Sequence, residues 1–177
     1  AASDVYKRQP YDRVYSGFLQ VQRDVVAQPK IETEDPWVKR LMLAQIAEVA
    51  DLLITSDFDF NTWFDRLEDH VFFNVGRNTN LPLYPASYWT GLRGRIDVDF
   101  VGKVETFEED YKRLCAQVGI VHGSLENLNV SDASGADAPV GQSKYAGRMS
   151  RATLSKINRI FETDFELFNY QVLGAAP

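Results

Sequence analysis

Residues 8–18 read Arg-Gln-Pro-Tyr-Asp-Arg-Val-Tyr-Ser-Gly-Phe, an order that suits the binding of an anion. Arg8 offers a planar fork of N–H donors that matches phosphate or sulfate oxygens. Pro10 is tolerated as a first helical residue, because its missing N–H would have no partner there. A helix opening at Pro10 adds backbone N–H groups and the positive end of its dipole. Ser16 adds a hydroxyl. Taken alone, the stretch suits a helix whose Arg and Ser are ordinary surface side chains better.

Other residues could also do chemistry. The segment Asn74 to Trp89 contains Arg77, Asn78, Asn80, Tyr84, Tyr88 and Trp89, a mixture that suits sugars. Aromatic faces stack on the apolar side of a pyranose, while amides and Arg bind its hydroxyl or anionic groups; core aromatics are the alternative for Tyr88 and Trp89. Lys144, Arg148 and Arg151 form a basic group before the last expected helix, either closing over an anion or lying solvated. His70 ends an apolar stripe near Phe72 and Phe73, and His122 follows a helix end. Two His so far apart make a weak metal site. Cys115 is the sole cysteine, which rules out an internal disulfide. No Gly-x-x-x-x-Gly-Lys-Ser/Thr sequence occurs, which argues against an ordinary P-loop kinase.

Three stretches together resemble the PAPS-dependent sulfotransferases, where PAPS is 3′-phosphoadenosine 5′-phosphosulfate. Arg8, Pro10, Tyr11, Arg13 and Ser16 match that family's 3′-phosphate motif, roughly Arg-Asp-Pro-aromatic-x-Arg-x-x-Ser, and Gln9 departs from it. Asp99 to Glu105, with Glu109-Asp110-Tyr111 and Leu114-Cys115, is similar to the family's Phe-x-Gly-Arg-x-Glu strand and following helix. Ile160 to Tyr170 is similar to its closing Tyr-x-x-Asp-Phe-x-x-Phe-x-Tyr. The order and gaps fit as well, and they point to the carbohydrate-type branch, family 2. The resemblance implies an α/β sulfotransferase fold like that of P-loop kinases, PAPS as cosubstrate and a hydroxyl acceptor, most simply a glycan. It implies Arg8 and Ser16 at the 3′-phosphate, with Arg13 either a second phosphate contact or a partner for Asp12 or an upstream carboxylate. By the same likeness Lys144 and Arg148 close over the nucleotide, and Arg77, Asn80 and Tyr84 face the acceptor. Glu105 reads as a structural partner rather than a catalytic acid. The family's 5′-phosphosulfate loop has no counterpart here, so that loop and the catalytic base are expected upstream, and no catalytic residue is assigned.

These residues need elements to hold them. Tyr11, Val14, Tyr15, Phe18 and Leu19 repeat at helical spacing, predicting a helix over residues 11–24. Asp35-Pro36 opens a longer one reaching Thr55, and Asp57 or Asp59 caps a third with Phe60, Trp63, Phe64 and Leu67 as its buried stripe. Ile96 to Val104 is the one convincing strand. Thr106-Phe107-Glu108-Glu109 reads as a capping box opening a helix with the stripe Phe107, Tyr111, Leu114, Cys115 and Val118, stopped by Gly119. Ser124 to Gln142 has no hydrophobic period and reads as a loop. Ser150 caps a last helix carrying Leu154, Ile157, Ile160 and Phe161. One strand cannot make a sheet, so its partners are expected elsewhere and the chain should look mostly helical.

The 177 residues suffice for one domain, and 45% apolar residues can fill its core. A net charge of -6 and a pI near 4.9 argue against nucleic acid as a partner, yet a few Arg can still hold one phosphate. No apolar run approaches the roughly 20 residues of a membrane span. Residues 1–9 include SDVYKRQ, which resembles a translated sequencing adapter of metagenomic reading frames. They are therefore expected to be a non-native tail, with 10–177 the C-terminal part of a single sulfotransferase domain. A bacterial source implies the cytoplasm, and a eukaryotic one the Golgi lumen. The rival readings are a non-catalytic helical interaction domain presenting Trp37 and Trp63, and a nucleotide kinase-like enzyme.

Overall fold

A computed structural model describes residues 4–27, 47–73, 83–92, 95–123 and 143–174. The expected helix start at Asp35-Pro36, the sugar-binding candidates Arg77, Asn78 and Asn80, the loop Ser124 to Gln142, and Trp37 lie outside those residues.

The chain opens with a strand, β1 (Asp4–Lys7), and turns at once into α1 (Pro10–Ala27), with Pro10 as its first residue. Strand β4 (Phe100–Lys103) runs parallel to β1, with Asp4 opposite Phe100 and Lys7 opposite Lys103. This corrects the expectation of one strand without a partner. The partner lies within the nine residues whose sequence resembles an adapter. The expected strand from Ile96 to Val104 is also broken in two. Its start, β3 (Arg95–Ile96), pairs antiparallel with β2 (Gly91–Leu92), which directly follows the short helix α5 (Ser87–Thr90), as a small hairpin. A bend at residues 97–99 then redirects the chain into β4.

The helices build the core. Residues 47–55 form α2, which buries Val49 and Leu53. Asp59 caps α3 (Phe60–Arg66) by accepting from the Thr62 N–H at 2.8 Å, satisfying a first-turn donor. Phe60, Trp63 and Phe64 are buried on one face of α3. Their rings meet Phe18 of α1 and Phe72 of α4 (His70–Phe73) at centroid separations of 5.3–5.4 Å. Each such pair contributes roughly 0.5–1.5 kcal/mol beyond the area it buries. Trp63 is fully buried and its Nε1 donates to the Val49 carbonyl at 3.0 Å, so it offers nothing to a partner. That correction removes one of the two tryptophans on which the interaction-domain reading stood.

Ser150 caps α7 (Arg151–Ile160) through the Thr153 N–H at 3.0 Å, as its sequence signature predicts. α7 packs Ile157 and Ile160 against α3, and the Lys156 ammonium reaches the carbonyls of Phe64, Asp65 and Leu67 at the end of α3. α7 is not the last helix, although the sequence suggests it; a further one, α8 (Glu162–Leu167), follows it.

Between β4 and α6 (Phe107–Val118) the capping box does not form. Thr106 makes no side-chain cap; its hydroxyl donates to Asp110 at 2.9 Å, and the same carboxylate accepts the Lys103 N–H at 2.7 Å. One buried carboxylate thus serves the strand end and the helix start, leaving Glu109 in solvent. Gly119 ends α6 at φ 74°, a left-handed conformation that glycine adopts without strain. The stripe expected on α6 is only partly covered: Cys115 is buried, while Phe107 and Val118 are exposed.

Candidate functional site

The parallel pairing brings the C-terminal ends of β1 and β4 to one edge, where ligand sites of α/β sheets form. Arg8 and Gln9 make the turn from β1 into α1. Arg8 Nη1 donates to Ser16 Oγ at 2.7 Å, so the guanidinium fork and the hydroxyl stand side by side along the first two turns of the helix. The two residues singled out for an anion are therefore brought together. The site belongs to an 18-residue helix whose dipole favours negative charge at that end.

Asp12 sits in the first turn of α1, is 4% exposed, and gathers a second segment. It accepts from Gln9 Nε2 at 3.2 Å and from Ser143 Oγ at 2.6 Å. The Lys144 and Tyr145 N–H groups approach it at 3.3 and 3.4 Å. The basic segment is thereby tethered beside the turn that carries Arg8. The Tyr145 ring stacks on Tyr15 at 4.4 Å, and Arg148 Nη1 donates to the Tyr15 hydroxyl at 3.2 Å while its guanidinium lies over both rings. Lys144 and Arg148 are both exposed, as is Arg151.

Arg13 finds neither of the ionic partners its sequence position suggests. Its Nη2 meets Asp164 Oδ2 at 2.6 Å, with the two side chains 14% and 0% exposed. The guanidinium also lies 5.1 Å from the centroid of Phe161. Asp164 further accepts the N–H groups of Ala86 and Ser87 at 2.7 and 2.8 Å. Arg13 thus faces the interior and a fixed carboxylate instead of the turn occupied by Arg8.

Glu105 joins the turn from the other side. Its Oε1 accepts the Gln9 N–H at 2.7 Å, and the Tyr170 hydroxyl approaches its Oε2 at 3.4 Å. Burial, and next the neighbouring Glu105 charge, push the Tyr170 hydroxyl far above the ordinary phenol range. The Lys103 ammonium sits 4.6 Å over the Tyr170 ring.

On the acceptor side the outcome divides. Tyr84 is 1% exposed and packs its ring 6.3 Å from Trp89, so it is a core residue and cannot face a substrate. That is a correction, and its cause is the adjacent Leu83, Pro85 and Ala86, all buried, which draw this end of the loop into the interior. Tyr88 and Trp89 by contrast are 46% and 49% exposed. Tyr88 stands edge to face with Phe73 over an open cleft of about 270 Å³, whose lining includes Ser87, Gly91, Ile160 and Thr163. His70 is half-exposed between Glu48 at 2.9 Å and Glu68 at 3.3 Å, and His122 is exposed. Among the described residues no His, Cys, Asp or Glu group could hold a metal ion, and no helix is long and apolar enough to cross a membrane.

Sequence reasoning did not foresee the tasks of Asp12 and Asp164. A signal existed for Asp164: at helical spacing it shares the face of Phe161, Phe165 and Phe168, which Glu162 and Glu166 do not, and an unpaired charge on that face would be very costly.

The sulfotransferase family model matches residues 6–171, nearly the whole chain. No curated protein and no solved structure matches it.

Proposed function

The chain belongs to the sulfotransferase family, and we propose that it serves a PAPS-dependent transfer of a sulfuryl group to a carbohydrate hydroxyl. The observation that carries this reading is the 2.7 Å contact of Arg8 with Ser16 at the opening of α1. Together they hold the 3′-phosphate of the nucleotide: the fork binds two oxygens and the hydroxyl a third. Lys144 follows the segment that Asp12 tethers, and its exposed charge suits a cover that closes on a bound anion; Arg148 would join it by leaving the Tyr15 hydroxyl. Arg13 takes no part in binding, since Asp164 holds its guanidinium. The parallel β1–β4 pair supports a P-loop-kinase-like sheet.

The reaction is an in-line displacement. An acceptor oxygen bonds to sulfur as the bond from sulfur to the 5′-phosphate oxygen breaks, releasing 3′-phosphoadenosine 5′-phosphate (PAP). The acceptor proton passes to a base that none of the residues assigned here supplies. Charge spreads over the sulfuryl oxygens in the transition state, so positioning and fixed donors supply most of the catalysis. The 3′-phosphate, remote from sulfur, supplies binding energy that orients the reacting end. For the acceptor, Tyr88 and Phe73 offer aromatic surface on an open cleft, and Arg77 and Asn80 remain the proposed polar contacts.

Calorimetry with PAP and 5′-AMP tests the nucleotide reading. PAP should bind at least tenfold tighter than 5′-AMP, and Ser16→Ala should weaken PAP by roughly 1–2 kcal/mol, the loss of a hydrogen bond to a charged group. Equal affinities for the two nucleotides would remove the 3′-phosphate role.

A further inference from the structure

We propose that Glu105 is the positioning residue of the anion site, acting through the backbone of Gln9 and never touching the ligand. The inference rests on the PAPS reading above and concerns what sets the geometry of Arg8. Lys7 and Lys103 are opposite one another where β1 and β4 end, so the chain leaves both strands at the same edge. Gln9 is 3% exposed, and it is followed by Pro10, which has no N–H. The Gln9 N–H is therefore the last backbone donor before the helix, and it is buried. Glu105 Oε1 takes it at 2.7 Å. That bond fixes the backbone at the point from which the Arg8 stem departs toward Ser16.

The other carboxylate oxygen is also held. Tyr170, from the C-terminal segment, brings its hydroxyl to Oε2 at 3.4 Å, and the Lys103 ammonium covers the Tyr170 ring. Both Glu105 oxygens are thus engaged, one by the Gln9 N–H and the other by Tyr170.

A carboxylate beside an anion site is electrostatically unfavourable for the anion. Its value must then lie in where it holds Gln9, and that separates two roles by experiment. Glu105→Gln keeps an oxygen for the Gln9 N–H and removes the like charge. Glu105→Asp keeps the charge, but its stem is one methylene too short to reach. If Glu105 positions the turn, the Gln variant binds PAP as well as the parent or better, and the Asp and Ala variants bind it about tenfold more weakly. None of the three moves 5′-AMP affinity by more than about threefold, because that ligand lacks the 3′-phosphate.

Calorimetry on the full 177-residue chain, with PAP and 5′-AMP as titrants, makes the comparison. Circular dichroism identifies folded variants, and the Asp variant carries the test should the Ala variant not fold. Undiminished PAP preference in the Asp variant overturns the proposal. So does a Gln variant as weak as the Asp one, because charge and not reach would then be what matters. A parent chain that fails to prefer PAP overturns the nucleotide reading itself, and the proposal with it. A parent that prefers PAP with an indifferent residue 105 removes the proposal alone.

Discussion

Replacing Asp164 by Ala should cost this protein about 5 kcal/mol of stability. The carboxylate is completely buried and receives three donors: Arg13 Nη2 at 2.6 Å and the N–H groups of Ala86 and Ser87 at 2.7 and 2.8 Å. Removing it strands a guanidinium that is only 14% exposed, which typically costs about 3–5 kcal/mol. Two amide donors lose their acceptor as well, on the order of 1–3 kcal/mol each where water cannot reach. These losses overlap, since relaxation or an entering water relieves several at once, so the sum is an upper bound. A loss of about 5 kcal/mol compares with a total of roughly 5–15 kcal/mol for a domain, so the variant should be largely unfolded or close to it. Asp164→Asn retains one acceptor and should lose about 2–3 kcal/mol. The assay is urea unfolding followed by tryptophan fluorescence, in a cycle with Arg13→Met. The double variant should be more stable than the sum of the single losses implies, because the stranded charge is gone. A loss below about 1 kcal/mol for Asp164→Ala, or strict additivity with Arg13→Met, refutes the reasoning.

Two further outcomes follow from burial. Burial raises the hydroxyls of Tyr11 and Tyr170 above the free phenol value of 10.0, so the folded chain keeps protons that the unfolded chain releases. Their contribution is complete below pH 10 and declines as pH rises beyond it, and Tyr170→Phe should make the decline shallower; a melting temperature that stays level from about pH 9 to 11 contradicts this. Tyr84→Ala should lower stability by roughly 3–5 kcal/mol, as truncation of a large core aromatic does. Denaturation midpoints of that variant within error of the parent would return Tyr84 to the surface.

Helices with strong end signals were legible in the sequence. Pro10, Asp59, Ser150 and Gly119 mark boundaries through local chemistry alone, and each performs that task in the fold. The strands were legible only in part, since Phe100–Lys103 lies within the expected Ile96 to Val104. Asp4–Lys7 is too short for a pattern, and only its register with Phe100–Lys103, nearly a hundred residues on, defines it. Thr106 misled because Asp110 competes for its hydroxyl, an interaction that depends on Lys103 lying close by. For the site, Arg8 and Ser16 were legible as candidates from residue type and their eight-residue spacing across Pro10, although what fixes them in place was not. Tyr84 was not, since burial of an aromatic flanked by two prolines is decided by what packs on it.

Three carboxylates reconcile an acidic chain with the proposed anion site. Asp12, Glu105 and Asp164 are spent on the protein's own donors: Asp12 on Gln9 and Ser143, Glu105 on the Gln9 N–H, Asp164 on Arg13 and the Ala86 turn. Tyr11 adds a fourth link, donating to Asn158 of α7 at 2.5 Å and accepting the Leu173 N–H at 2.7 Å. The first turns of α1 are thus bonded to the end of β4, to the segment at 143–145, to α7 and to α8. Contacts of such different sequence separation converge on residues 8–16, so the placement of Arg8 and Ser16 is a consequence of global folding rather than of the local helix. It follows that substitutions at Asp12 or Asn158, which touch no ligand, should weaken nucleotide binding and stability together, whereas Ser16→Ala should weaken binding alone. That contrast separates the frame of the site from its contacts.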